Sequence, residues 1–94
     1  MHQDYRISIP TQLRSYTGGA ADVSVAVAGP EPRLADVFAA LDAAYPGIRF
    51  RMVDEQDRLR PNMRVFVNGK AICDLANPLQ PSDDVSIVQA LSGG

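Results

Sequence analysis

Tryptophan is absent from this chain of 94 residues, and cysteine and histidine occur once each. One cysteine cannot close an intramolecular disulfide, and one Cys with one His cannot supply a structural zinc site. The lone histidine, His2, sits at a terminus expected to fray and is read as inert. Long apolar runs are missing too. No stretch approaches the roughly 18 apolar residues that a membrane span needs. The opening Met1-His2-Gln3-Asp4-Tyr5-Arg6 carries an acid and no apolar run, unlike a signal peptide. The expectation is a small cytoplasmic protein that binds neither membrane nor nucleic acid. Basic charge is scarce as well: eight Arg and one Lys stand against nine Asp and two Glu, a net charge of −2. Such a balance supplies no phosphate-neutralising stripe.

Catalytic groupings are equally thin. Gly18-Gly19 has neither the spacing nor the context of a phosphate-binding loop. Asp83-Asp84 reads as a turn before a strand rather than as a paired acid and base. Cys73 reads as a small, partly buried packing residue whose only basic neighbour is Lys70. No metal site is expected, and no cofactor bound by the chain itself.

What is present is a clear alternation of periods. Apolar residues make up 46% of the chain, enough for one compact core. Tyr5-Arg6-Ile7-Ser8-Ile9 and Asp22-Val23-Ser24-Val25-Ala26-Val27 alternate with period two and predict neighbouring strands. After the break at Gly29-Pro30-Glu31-Pro32, Leu34, Val37, Phe38, Leu41 and Tyr45 form one stripe of an amphipathic helix. Asp36 and Asp42 lie off that stripe and are expected to face water. No Ser, Thr or Asp stands ready to cap the helix, though Pro32 and Glu31 suit its first turn. Pro46-Gly47 stops it, and Ile48 to Val53 adds a short helical turn. Met63 to Val67 predicts a third strand. Asn68-Gly69 supplies the positive φ values of a type I′ turn, so Lys70 to Cys73 returns as a short strand. Ala76 to Asp84 is loop, and Val85 to Ala90 is the last strand.

One main helix cannot cover both faces of a sheet, so the other face must meet water or a partner. The order predicts an α+β fold of the β-grasp (ubiquitin-like) kind, with a mixed sheet of about five strands on one helix. Its core would be Tyr5, Ile7, Ile9, Val23, Val25, Val27, Leu34, Val37, Phe38, Leu41, Val65, Val67, Val85 and Ile87. Residues 1–90 would form the domain and 91–94 a flexible diglycine tail. Strand alternation puts Phe66 and Val88 on the face away from the helix. With Leu91 and Ser92 they would make a partner-binding patch leading to the tail. Gly93-Gly94 has a chemical rationale: without side chains the tail can enter a narrow channel and expose a carbonyl to attack. Four residues reach at most roughly 14 Å.

The sequence resembles the ubiquitin-like sulfur carriers, among them the molybdopterin synthase small subunit and the thiamine and cysteine-biosynthesis carriers. The matching pieces are Ile9-Pro10-Thr11…Leu13-Arg14…Thr17-Gly18-Gly19, Tyr45-Pro46-Gly47-Ile48, Val65-Phe66-Val67-Asn68-Gly69, Asp83-Asp84-Val85-Ser86-Ile87-Val88 and Ser92-Gly93-Gly94. The Ile-Pro-Thr opening and the length look most like the cysteine-biosynthesis type. The chain departs from many relatives in having Gln89 where they place Pro, and in a shortened Ala76 to Ser82 loop. The resemblance implies a protein cosubstrate, not an enzyme. A separate ubiquitin-activating-type adenylyltransferase would use ATP to adenylate the Gly94 carboxylate. A sulfur donor such as a sulfurtransferase would convert it to a thiocarboxylate, and an accepting biosynthetic enzyme would take the sulfur. Gly94 would be the reacting residue and Gly93 its necessary neighbour. Cysteine or a specialised sulfur metabolite is the expected product. The alternatives are a molybdopterin synthase small subunit, a protein modifier joined through Gly94 to a lysine, and a β-grasp binding module with an inert tail.

Overall fold

The computed structural model describes residues 2–90. Five strands form one sheet: β1 (His2–Ser8), β2 (Asp22–Ala28), β3 (Met63–Val67), β4 (Lys70–Ile72) and β5 (Asp84–Gln89). Their spatial order is β2-β1-β5-β3-β4, with β1 and β5 parallel and every other pair antiparallel. Helix α1 (Leu34–Ala44) carries the chain from β2 to β3, followed by the short α2 (Ile48–Met52). This is the β-grasp arrangement that the order of periods predicts. A single 3-10 turn, Thr11–Leu13, interrupts the connection between β1 and β2.

All fourteen expected core residues are buried. Period two explains the strands: Val23, Val25 and Val27 point inward while Asp22, Ser24, Ala26 and Ala28 point out. Period 3.6 explains α1, whose Leu34, Val37, Phe38 and Leu41 are buried. The core also takes in Leu13, Leu75 and Leu79 from irregular segments, and Ile48, Met52, Val53 and Met63 around α2 and β3.

The helix start is capped by the chain itself. The amides of Leu34 and Ala35 donate to the carbonyls of Asn77 and Leu75 at 3.0 and 2.9 Å. The Asp36 carboxylate accepts the Arg33 amide at 2.8 Å, which fills half of a capping box. Asp36 therefore caps rather than merely facing water. Asp42 is half-buried and accepts the amides of Gly47 and Arg49, each at 3.1 Å. In doing so it fixes the bend between α1 and α2. Gly47 makes that bend with φ +98°, and Tyr16 packs against it: a Cβ there would lie 3.2 Å from the Tyr16 ring.

Several boundaries shift. β1 starts at His2, which pairs with Ala28, so the expected fraying is replaced by strand pairing along the β2 edge. Ile9 lies just past β1 yet stays buried, with its amide on the Ala21 carbonyl at 2.7 Å. β5 begins at Asp84 and ends at Gln89. Asp83-Asp84 does form the turn before it: the Asp83 carboxylate accepts from the Gln80 amide at 2.7 Å and the Asn68 side-chain amide at 2.8 Å. Asn68 and Gly69 have φ +51° and +84°, as a type I′ hairpin requires.

Candidate functional site

The face of the sheet away from α1 carries Phe66 and Val88. Phe66 pairs with Ser86 on β5 and Ala71 on β4, and Val88 pairs with Arg64. Two residues apart along β5, Val88 and Ser86 share a face, so Phe66 and Val88 are diagonal neighbours within reach of one another. Val88 is 44% exposed and Phe66 is half-buried. The apolar patch is therefore narrow, flanked by Arg64 and by the small residues Ser86 and Ala71.

β5 carries this face to the root of the tail. Gln89 pairs with Met63, and the Ala90 amide donates to the Asn62 carbonyl at 2.8 Å. Beyond that bond lie Leu91, Ser92, Gly93 and Gly94, which fall outside the described residues. The structure thus brings Phe66 and Val88 together, and Val88 stands three residues before Leu91 in sequence.

A second surface, which no period in the sequence marks, borders the same root. Ile48 and Met52, four apart on α2, turn inward, so Phe50 between them turns out and is 58% exposed. The Arg60 guanidinium sits 4.7 Å from the Phe50 ring centre, and its Nε donates to the Phe50 carbonyl at 2.8 Å. Phe50, Arg51, Arg60, Asn62 and Gln89 line a shallow cleft there. The signal in the sequence was an aromatic flanked by Arg49 and Arg51 and out of phase with Ile48 and Met52.

Chemistry elsewhere is sparse. Cys73 is exposed rather than packed, because β4 ends at Ile72 before reaching it. It shares a cleft with Arg33, Arg49 and Arg58, so Lys70 is not its only basic neighbour. β1 and β4 stand three strand spacings apart, about 14 Å, so the strand bearing His2 does not bring it beside Cys73. Among the described residues, no group of three His, Cys, Asp or Glu side chains could hold a metal ion. No described helix is long and apolar enough to cross a membrane.

The carboxylates whose pKa values move have structural explanations. Asp22 is held below the usual carboxylate range by hydrogen bonds from Ser8 and Arg6. Asp54 is lowered by the amides of Arg58 and Gln56, which it accepts at 3.0 and 2.9 Å. Asp22 links the paired strands β1 and β2, and Asp54 closes the loop after α2. Tyr5 moves the other way, raised by burial and by the negative charge of Asp83.

Residues 7–94 of the sequence match the ThiS family. The chain belongs to the ThiS family. Sulfur carrier protein CysO of Mycobacterium tuberculosis is 33% identical over 93 residues, which cover 94% of this chain and 96% of that protein. Its crystal structure superposes with a TM-score of 0.80, covering 93% of this chain and 99% of that one. A chain from the BexX/CysO complex of Amycolatopsis orientalis gives a TM-score of 0.83 at 28% identity, covering 96% and 99%. The resemblance to the ubiquitin-like sulfur carriers therefore holds across nearly the whole of this ThiS-family chain. Such carriers are small, substrate-like proteins rather than enzymes.

Proposed function

We propose that the chain carries sulfur on the Gly94 carboxyl as a thiocarboxylate and delivers it to a biosynthetic enzyme in the cytoplasm. The observation that carries this reading is the match to sulfur carriers through residue 94. An ionised carboxylate, with an ordinary pKa of about 3.3–3.7, is a poor electrophile and must be activated. A separate adenylyltransferase binds ATP as cosubstrate: a carboxylate oxygen of Gly94 attacks the α-phosphorus and expels pyrophosphate. Sulfide then attacks the acyl carbon and expels AMP, leaving the thiocarboxylate. Where a sulfurtransferase persulfide attacks instead, a second thiol must cleave the resulting acyl disulfide, releasing the thiocarboxylate and itself ending as a disulfide. The acceptor enzyme takes the sulfur toward cysteine or a specialised sulfur metabolite.

The fold supports each stage. Ala90 is tied to Asn62, so the tail starts from a fixed point. Phe66 and Val88 offer the partner an apolar strip on the open face of the sheet, and Leu91 and Ser92 are proposed to extend the contact. Gly93 lets the last residues pass a narrow channel, and Gly94 leaves its carbonyl uncrowded as it becomes tetrahedral.

The test is to append one residue after Gly94, or to delete Gly94, and assay sulfur loading with adenylyltransferase, ATP and sulfide. Both variants should load no sulfur, and Gly93→Val should load it far more slowly. Normal loading of the extended chain would overturn the reading and leave a binding module with an inert tail. A mass increase equal to a conjugated protein would instead identify a modifier.

A further inference from the structure

The cleft at the end of β5 differs in chemistry from the open face of the sheet. Its aromatic, Phe50, is more exposed than Val88. A guanidinium stacked on an aromatic ring keeps its in-plane N–H groups available for acceptors such as carboxylates. Arg60 is held in that pose by its own bond to the Phe50 carbonyl.

The cleft is also basic. Arg6, Arg49 and Arg58 pair with Asp22, Asp57 and Asp54. Among the described residues, Arg51, Arg60 and Arg64 form no ion pair, as is also true of Arg14, Arg33 and Lys70 elsewhere. Arg51 and Arg60 line the cleft, and Arg64 sits beside it on β3 with its Nη1 on the Pro61 carbonyl at 2.7 Å. Three arginines outside any ion pair thus gather at one corner of a chain whose net charge is −2, although Arg60 is near enough to Asp54 to help hold its carboxyl low.

Position supplies the remaining argument. Gln89 lines the cleft, and Ala90 bonds to Asn62 in its wall. Four further residues reach at most about 14 Å. Any enzyme that brings a reacting centre to Gly94 must therefore stand close to this cleft.

We propose that the Phe50–Arg51–Arg60 cleft docks an acidic segment of the adenylating enzyme that takes up the tail. The proposal rests on the carrier reading and adds to it a second, charged contact apart from the Phe66–Val88 strip. An aromatic and an arginine side by side are the residue types that dominate interface energetics. Charged contacts at the border of an interface act chiefly on encounter rate and salt dependence.

The experiment is steady-state sulfur loading by the cell's own adenylating enzyme, with ATP and sulfide, on the wild-type chain and on Phe50→Ala, Arg51→Glu and Arg60→Glu. Each variant should raise the KM for the carrier about tenfold while kcat is retained, as expected for a contact that serves docking alone. The wild-type KM should climb with salt, and that of Arg51→Glu should climb less. Arg51 makes no side-chain hydrogen bond among the described residues, so its variant stays informative even if Arg60→Glu loosens the loop. A KM for Arg51→Glu and Phe50→Ala within about twofold of wild type would overturn the proposal. A concentration-dependent dimer that Arg51→Glu dissolves, with KM unchanged, would overturn it in favour of a second copy as occupant. Failure of the wild-type chain to take up sulfur would refute the carrier reading, and the proposal with it.

Discussion

The Ala90 amide donates to the Asn62 carbonyl at 2.8 Å, so the end of β5 is fixed to the segment entering β3. This bond places the root of the tail between two surfaces, the Phe66–Val88 strip and the Phe50–Arg60 cleft.

The strip can be separated from the core by one substitution. Phe66→Asp should weaken binding to the adenylating enzyme while leaving the thermal melt nearly unchanged, because Phe66 faces away from α1. A large drop in melting temperature would show instead that the ring is part of the core.

Phe38 is the opposite case. It is fully buried on the inner face of α1, and Phe38→Ala should cost about 3–5 kcal/mol of stability. Chemical denaturation would measure it. A cost below about 1 kcal/mol would mean that the helix does not seat on the sheet as described.

Gly47 is held at φ +98° with the Tyr16 ring where a Cβ would go. Gly47→Ala should therefore destabilise the protein by about 1–3 kcal/mol. Adding Tyr16→Ala should make the two effects non-additive, because that contact is then gone. Strict additivity would show that backbone strain alone is responsible.

Tyr5 gives the pH dependence. Its hydroxyl is buried and has no hydrogen-bond partner among the described residues, and burial, then the charge of Asp83, raises its pKa. A raised folded pKa means that the folded state holds the proton more tightly. The stability linked to that proton is present below the unfolded value of about 10 and is lost as pH climbs through the folded one. Tyr5→Phe should raise stability at neutral pH by about 1 kcal/mol and move the alkaline decline to higher pH. A loss of stability at neutral pH would show that the hydroxyl holds a partner.

Strands and the main helix were legible because each repeats its period over several residues. Val23, Val25 and Val27 alternate, and Leu34, Val37, Phe38 and Leu41 recur at helical spacing. Leu13, Leu75 and Leu79 were not legible as core, since they sit in irregular segments where no period points inward. The cap of α1 was hidden for a related reason. Its acceptors are carbonyls of Leu75 and Asn77, and backbone carbonyls carry no residue signature. Of the site, Phe66 and Val88 followed from alternation. The Phe50–Arg60 contact joins residues ten apart across a bend, and only the folded chain brings them together.

The most direct measurement is the mass and position of the sulfur after reaction with adenylating enzyme, ATP and sulfide. Replacing one oxygen by sulfur adds about 16 Da, nearly the same as one oxidation, so alkylation with iodoacetamide and fragmentation must locate the label. The Cys73→Ser chain removes the thiol that, in the presence of a two-electron oxidant or a persulfide donor, could hold the sulfur as a persulfide. The account predicts an alkylated thiocarboxylate on Gly94 in both the wild-type and Cys73→Ser chains, and none after deletion of Gly94. Sulfur found on Cys73, and still carried when Gly94 is deleted, would contradict it.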